Sequence, residues 1–317
     1  VTTSPRRPMM ISAGVMAVMA VVSLGGLVFD DRILLGAPIW LKPLKFALSI
    51  GIYFLTWGWL SSLLTVRQRL VARISAVVIG LLGVEYAILI TQVIRGRASH
   101  FNVSTTFDRL LYLIMGGSIA VIWTGTLVLT VLLFRTPIAD TASRLAIRWG
   151  AVISLIGIGL GGLMLIPTPQ QRASAVHQVV GAHSVGVPDG GPVMAVTGWS
   201  TTGGDLRIPH FVGMHALQVL PLLVMLLGFL ARRFPRLRPD RTRGRLTAIA
   251  TAAYAGLVAL VTWQAERGQP FIHPDGLTLS AFGLLVATTL GAGTLVIARG
   301  PAGTTVPEPV RRTEMAR

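Results

Sequence analysis

The sequence predicts an all-α integral membrane protein: eight transmembrane helices in a 4+4 parallel internal duplication, with both termini on the cytoplasmic side. Three observations predict it. Of 317 residues, 52% are hydrophobic and 13% charged, whereas a soluble chain carries about 25% charged residues. The apolar residues gather into eight runs, each near the roughly 20 residues a bilayer needs. The basic residues cluster on alternate connections, and that asymmetry sets orientation.

The runs cover approximately 9–29, 44–64, 74–94, 110–134, 145–167, 211–231, 246–264 and 277–298. Helix is the state open to them, because lipid cannot satisfy an unpaired backbone. The first run follows Arg6 and Arg7. It is too long for a signal sequence, and the stretch around Gly25 and Gly26 is a poor cleavage site, so it reads as an uncleaved first helix. Arg67, Arg69, Arg73, Arg135, Arg144, Arg148 and the Arg-rich stretch 232–245 fall on the side of the N-terminus. The formal charge of +16 is therefore read as an anchor at anionic lipid and not as a nucleic-acid surface. The expected partners are the lipid bilayer of the plasma membrane, crossed many times, and a small-molecule ligand from the outer side; nucleic acid is not expected. With no cysteine in the chain, disulfides, thiolate metal sites and cysteine nucleophiles are excluded.

The duplication rests on matches in the same order. Helices 1 and 5 share G-G-L, at 25–27 and 161–163. Helices 2 and 6 begin near Pro43 and Pro209. Helices 3 and 7 end Q-x-x-R-G, at 92–96 and 264–268. Helices 4 and 8 begin D-x-L at Asp108 and Asp275 and later read G-T-L-V. Four helices per copy give both copies the same orientation, related by an axis along the membrane normal. The halves are residues 1–140 and 141–300, followed by a tail, 301–317, expected to be disordered. The second half carries a long outer connection, 168–209, of a size that is usually functional or disordered.

The stretch 205–218 carries Asp205, Arg207, His210, His215 and Gln218 from this loop into helix 6. All six histidines, His100, His177, His183, His210, His215 and His273, fall on the outer side. Glu85 is the acid inside an apolar span, about 14 Å below the outer end of helix 3. Such an acid costs about 2.5–3.5 kcal/mol to insert, so it should face protein and have a partner. Gln92 and Arg95 continue its helical face. Lys42 and Lys45 are the chain's only lysines. Lys42 is read as reaching toward the headgroups. Lys45, one turn deeper and followed by Ser49 and Tyr53, is expected to pair with Glu85 or a ligand anion. His215 is read as the internal histidine and His210 as interfacial. Arg95 and Arg267, with Gln92 and Gln264, occupy equivalent positions from which two arginines could clamp an anion. Asp108 and Asp275 suit helix caps.

These residues suggest a polar pocket open to the outside. Glu85, His215 and Lys45 would be its catalytic groups; Arg95, Arg267, Gln92, Gln264, His100, His210 and Asp205 would bind ligand. A haem-binding oxidoreductase or haem-modifying protein is an alternative. Eight helices in two four-helix halves resemble the layout of haem A synthase, whose outer-side histidines ligate haem. That resemblance implies haem as cofactor, with His215 and His273 as the available axial pair; at the family's helix 2 histidine this chain has Lys45 nearby instead. A small-anion transporter is a further alternative, against which the apolar inner halves of the helices count.

Overall fold

The apolar runs become long helices, and the short polar connections between them cap those helices with their own side chains. The computed structural model describes residues 5–174 and 178–300. His177 and the tail 301–317 lie outside the described residues. The helices are α1 (Arg6–Phe29), α2 (Leu41–Ser61), α3 (Gln68–Ile94), α4 (Thr106–Arg135), α5 (Thr141–Leu160), α6 (Pro169–Ala173), α7 (Arg207–Met214), α8 (Ala216–Arg233), α9 (Asp240–Glu266) and α10 (Gly276–Arg299). Two two-stranded ribbons complete the fold: β1 (Ile33–Leu34) with β2 (Ala37–Pro38), and β3 (Ser184–Val185) with β4 (Gly204–Asp205), both antiparallel.

Seven helices are long and apolar enough to cross a membrane: α1, α3, α4, the stretch Thr141–Ala173, α8, α9 and α10. The remaining long helix is α2, 21 residues, about 30 Å at 1.5 Å per residue. It carries both lysines. Residues around Leu284, Leu290 and Leu295 of α10 are exposed, and α10 packs against α9. An apolar helix with one neighbour suits lipid on its remaining faces.

The expected sixth span, 211–231, is not one continuous helix. It breaks at His215 into α7 and α8. Side chains from neighbouring helices take the backbone acceptors at the break: Tyr254 donates to the Val212 carbonyl at 2.7 Å and Ser154 to the Met214 carbonyl at 2.7 Å. This is how interrupted backbone is tolerated at membrane depth. The same region is pressed against α5. A Cβ on Gly157 would lie 2.2 Å from the carbonyl carbon of Gly213, so only glycine permits this crossing.

The helix ends follow cap chemistry. The Thr105 hydroxyl accepts from the Asp108 N–H, the Asp140 carboxylate from Ser143 N–H, and the Asp275 carboxylate from Thr278 N–H. The α3–α4 and α9–α10 corners are built alike. Arg95 and Arg267 are the C-caps, and Gly96 and Gly268 follow at φ 65° and 69°, the left-handed turn that glycine takes freely. Each arginine then pairs with the aspartate at the start of the next helix, Asp108 or Asp275.

One end of the bundle is closed. Met9, Trp57, Leu60, Val71, Leu129, Leu133, Ile147 and Leu217 form one buried apolar cluster drawing on α1, α2, α3, α4, α5 and α8. The other end is roofed by the long connection. It is not unstructured: β3 and β4 pair, Val193 bridges Ser200, and Val179 bridges Asn102. Gly204 sits directly on the last turn of α9, where a Cβ would meet the Ala265 carbonyl oxygen.

Candidate functional site

Under this roof lies a cavity of about 730 Å³ bounded by α2, α3, α4, α5, α7 and the connection itself, within the range of small-molecule sites. Its ionisable groups, Lys42, Lys45, Glu85, His100, His183 and Arg207 among them, come mainly from the roof and from the ends of helices near it. Leu82, Ile119, Ile122 and Trp123 make its deeper walls apolar.

The first turns of α2 supply a polar stripe. The Lys45 ammonium donates to the Thr197 carbonyl at 2.7 Å, Ser49 Oγ lies 3.4 Å from His215 Nε2, and Tyr53 OH lies 2.9 Å from Thr126 Oγ1. The Thr126 hydroxyl already donates to the Ile122 carbonyl, so Tyr53 is the donor of that pair. Lys42 does not reach for headgroups. Its Nζ is 3.0 Å from His100 Nδ1, and Ser99 Oγ is also 3.0 Å from that nitrogen. Two donors on Nδ1 place the imidazole proton on Nε2. Burial, and the Lys42 ammonium beside it, hold His100 well below its ordinary pKa of 6.5. It is a neutral acceptor that positions Lys42.

The roof adds a second pair. The Asp189 carboxylate accepts from the backbone N–H of His183 and Ser184, and lies 3.1 Å from His183 Nδ1. Burial opposes the charge on Asp189, but these bonds prevail and hold it below the usual carboxylate range. Burial also lowers the His183 pKa, partly offset by Asp189. A neutral imidazole held at Nδ1 by a carboxylate has Nε2 left as a base, the orienting arrangement found in acid–base dyads. Next to it, Phe101 takes φ 62°, a strained conformation for a bulky residue. Its ring packs edge-on to His183, with centroids 4.8 Å apart.

Glu85 is the other unusual group. It is 1% exposed, and neither carboxyl oxygen has a hydrogen-bond partner among the described residues. Buried polar atoms are nearly always paired, and Glu85 lines the cavity with both oxygens buried and unpaired. Lys45, expected to pair with it, instead donates to the Thr197 carbonyl.

The structure therefore brings together Lys45, Glu85, His100 and His210 on one cavity. His210 is internal, with Nδ1 donating to the Gly157 carbonyl at 2.8 Å. His215 sits at the helix break, behind Phe211, whose ring centroid is 4.5 Å from its own. Asp205 is fully buried but acts on the protein. It accepts from Ser200 N–H, Arg207 N–H and the Arg207 guanidinium, which also donates to the Gly198 carbonyl. The Gly-rich stretch 198–205 folds over the cavity, with Gly198, Trp199 and Ser200 among its lining. However, the N–H groups of Gly198, Ser200 and Gly203 are used within the loop, so they are not an anion cradle.

The anion clamp expected from Arg95 and Arg267 is not formed. Arg95 pairs with Asp108 and with Gln92, whose amide donates to the Ala98 carbonyl and to Asp108. Arg267 pairs with Asp275 and Thr278, and Gln264 donates to the Pro270 carbonyl. All four residues hold helix corners. Of the expected haem pair, His215 is half-buried beside Ser49 of α2, while His273 is exposed on the α9–α10 turn.

The sequence reading named His183 and Arg207 without a role, did not name Asp189 as a site residue, and placed Lys42 at the headgroups. The one signal for His183 and Asp189 was the length of the connection 168–209, since loops that long often carry a site. Arg207, two residues after Asp205, was readable as a local ion pair. By its helices and their apolar faces this is a multi-pass membrane protein, with a largely apolar cavity whose ionisable groups gather at one end of the bundle. Comparison with protein-family models, curated proteins and solved structures found no match to this chain.

Proposed function

We propose that this chain is an eight-span plasma-membrane protein that binds a small molecule in the cavity from the extracytoplasmic side, with Glu85, Lys45 and the neighbouring histidines as acid–base and hydrogen-bonding groups. The observation that carries the reading is Glu85, a buried carboxyl with two unpaired oxygens on the wall of a cavity that also holds Lys42, Lys45, His100 and His183.

The topology supports it. The arginine-rich connections lie at the end closed by the Met9–Leu217 cluster, so the positive-inside rule puts the roofed end outside. Packing supports eight crossings. Gly58 faces Met9 and Met10, Gly51 faces Met16, and Gly26 faces Trp40. Thus α2 runs antiparallel along the full depth of α1. The matching corners at 92–108 and 264–278 support a duplication into residues 1–140 and 141–300. The closed apolar floor favours a site over a passage for small anions.

Accessibility tests the reading, since the chain has no native cysteine. Cysteines replacing Arg97 and Arg236 are expected to react with an impermeant reagent from opposite faces, and one replacing Lys42 from the same face as Arg97. Reaction at position 42 only from the Arg236 face would sink the outward pocket.

A further inference from the structure

The cavity's polar groups carry an excess of positive charge. Lys42, Lys45, Arg97 and Arg207 line it, against the carboxyls of Glu85 and Asp189. Asp189 is already engaged by His183 and Ser184, and Arg207 by Asp205. Among the described residues neither lysine forms an ion pair. What remains at the roofed end is the two lysine ammonium groups and the Arg97 guanidinium, cations suited to an anion.

The rest of the cavity is not suited to a small soluble anion. Its deeper walls are apolar, and it is not sealed from the side. Gly116, Ile119, Ala120, Gly159 and Leu165 line the cavity and are themselves exposed. They lie along facing edges of α4 and the end of α5. Three of them, Gly116, Ala120 and Gly159, have little or no side chain to fill the gap. Trp123 crosses the gap, its indole N–H donating to the Leu155 carbonyl at 3.0 Å. Beyond Trp123 and Gly159 the gap continues as an apolar groove of about 480 Å³ running along α4 and α5 toward Arg135. Cavity and groove share those two residues.

We propose that the ligand is an amphipathic lipid with an anionic head, taken from the outer leaflet through the α4–α5 gap. The head lies at Lys42 and Lys45, where charge-assisted hydrogen bonds reward an anion, and the chain lies in the gap down to Trp123 and Gly159. The polarity matches a lipid's own orientation in that leaflet, with the head at the surface and the chain toward the midplane. This inference rests on the ligand-pocket reading above and adds the class of ligand and its route.

The test uses the full chain in phosphatidylcholine vesicles, with phosphatidic acid carrying a photoactivatable group in its acyl chain. Adducts are mapped by mass spectrometry. Labelling is expected on 116–124 and 155–165 above the level on the lipid-facing side of α10, which reports random contact. Lys42→Gln/Lys45→Gln is expected to lower labelling of the gap by roughly tenfold and leave α10 unchanged. A photoactivatable diacylglycerol with the same chains is expected to label the gap no more than α10. Equal labelling of gap and α10 by the phosphatidic acid probe, equal labelling of the gap by both probes, or indifference to the lysine substitutions overturns the inference. Full competition by inorganic phosphate would make the site one for a soluble anion; that removes the lipid and leaves the pocket standing. The pocket itself is judged by cysteine accessibility at position 42, so the two failures are distinguishable.

Discussion

The α3–α4 and α9–α10 corners use the same parts for different ends. Both close with a glutamine, a C-cap arginine, a left-handed glycine and an aspartate on the next helix. In the first corner Asp108 is fully enclosed, and the chain beyond Arg97 turns inward to deliver His100 to the cavity. In the second, Asp275 and Arg267 are partly exposed and the turn through His273 stays at the surface. Seven residues before the glutamines stand Glu85 and Leu257. The shared parts are therefore scaffold, and the cavity-lining residues Glu85 and His100 stand where the corners differ.

This contrast is open to direct test. The largest effect is expected from making the halves alike at the wrong place: Leu257→Glu puts a carboxyl into an apolar span at a cost of about 2.5–3.5 kcal/mol, seen as loss of folded protein on expression. Asp108→Ala strands the Arg95 guanidinium and the Gln92 amide, and a loss of about 3 kcal/mol is expected in thermal unfolding of the purified protein. Asp275→Ala, at the exposed corner, is expected to lower the midpoint far less; equal losses would mean the corners carry equal load. Glu85→Leu should move stability the other way, by about 1–3 kcal/mol, because it removes two unpaired buried oxygens, while abolishing ligand binding. A Glu85→Leu protein of lower stability would show that the carboxyl has a partner and is structural.

The smallest expected effect is that of pH. His100 and His183 have pKa values lowered in the fold, first by burial. On acidification the unfolded chain binds their protons before the folded one does. Their contribution is thus complete above about pH 6.5 and declines as the pH falls below it. The acid-side fall in unfolding midpoint should flatten in His100→Asn/His183→Asn; an unchanged slope would place the titration elsewhere.

Several of these features were legible in the sequence. Asp275 as a cap and Glu85 as an internal acid could be read from hydropathy and spacing, because both depend on neighbours within a turn or two. The anion clamp of Arg95 and Arg267 was misjudged for a related reason. Spacing placed them correctly on helix ends, but nothing local says that Asp108 and Asp275 fold back within reach of the guanidinium groups. The break at His215 was equally hidden, since the donors that stabilise it, Ser154 and Tyr254, come from other helices.

The sequence by itself determined the helical, membrane-spanning character of the apolar runs and the end of the bundle at which polar residues collect, because lipid imposes a rule on every residue of a span independent of its neighbours. Only the tertiary structure decided which ionisable groups share a cavity. Lys42 reaches His100 across 58 positions, Lys45 reaches Thr197 across 152 and Ser49 approaches His215 across 166. Such meetings depend on how whole helices pack and on where a long connection is laid down, and no local pattern of side chains encodes them.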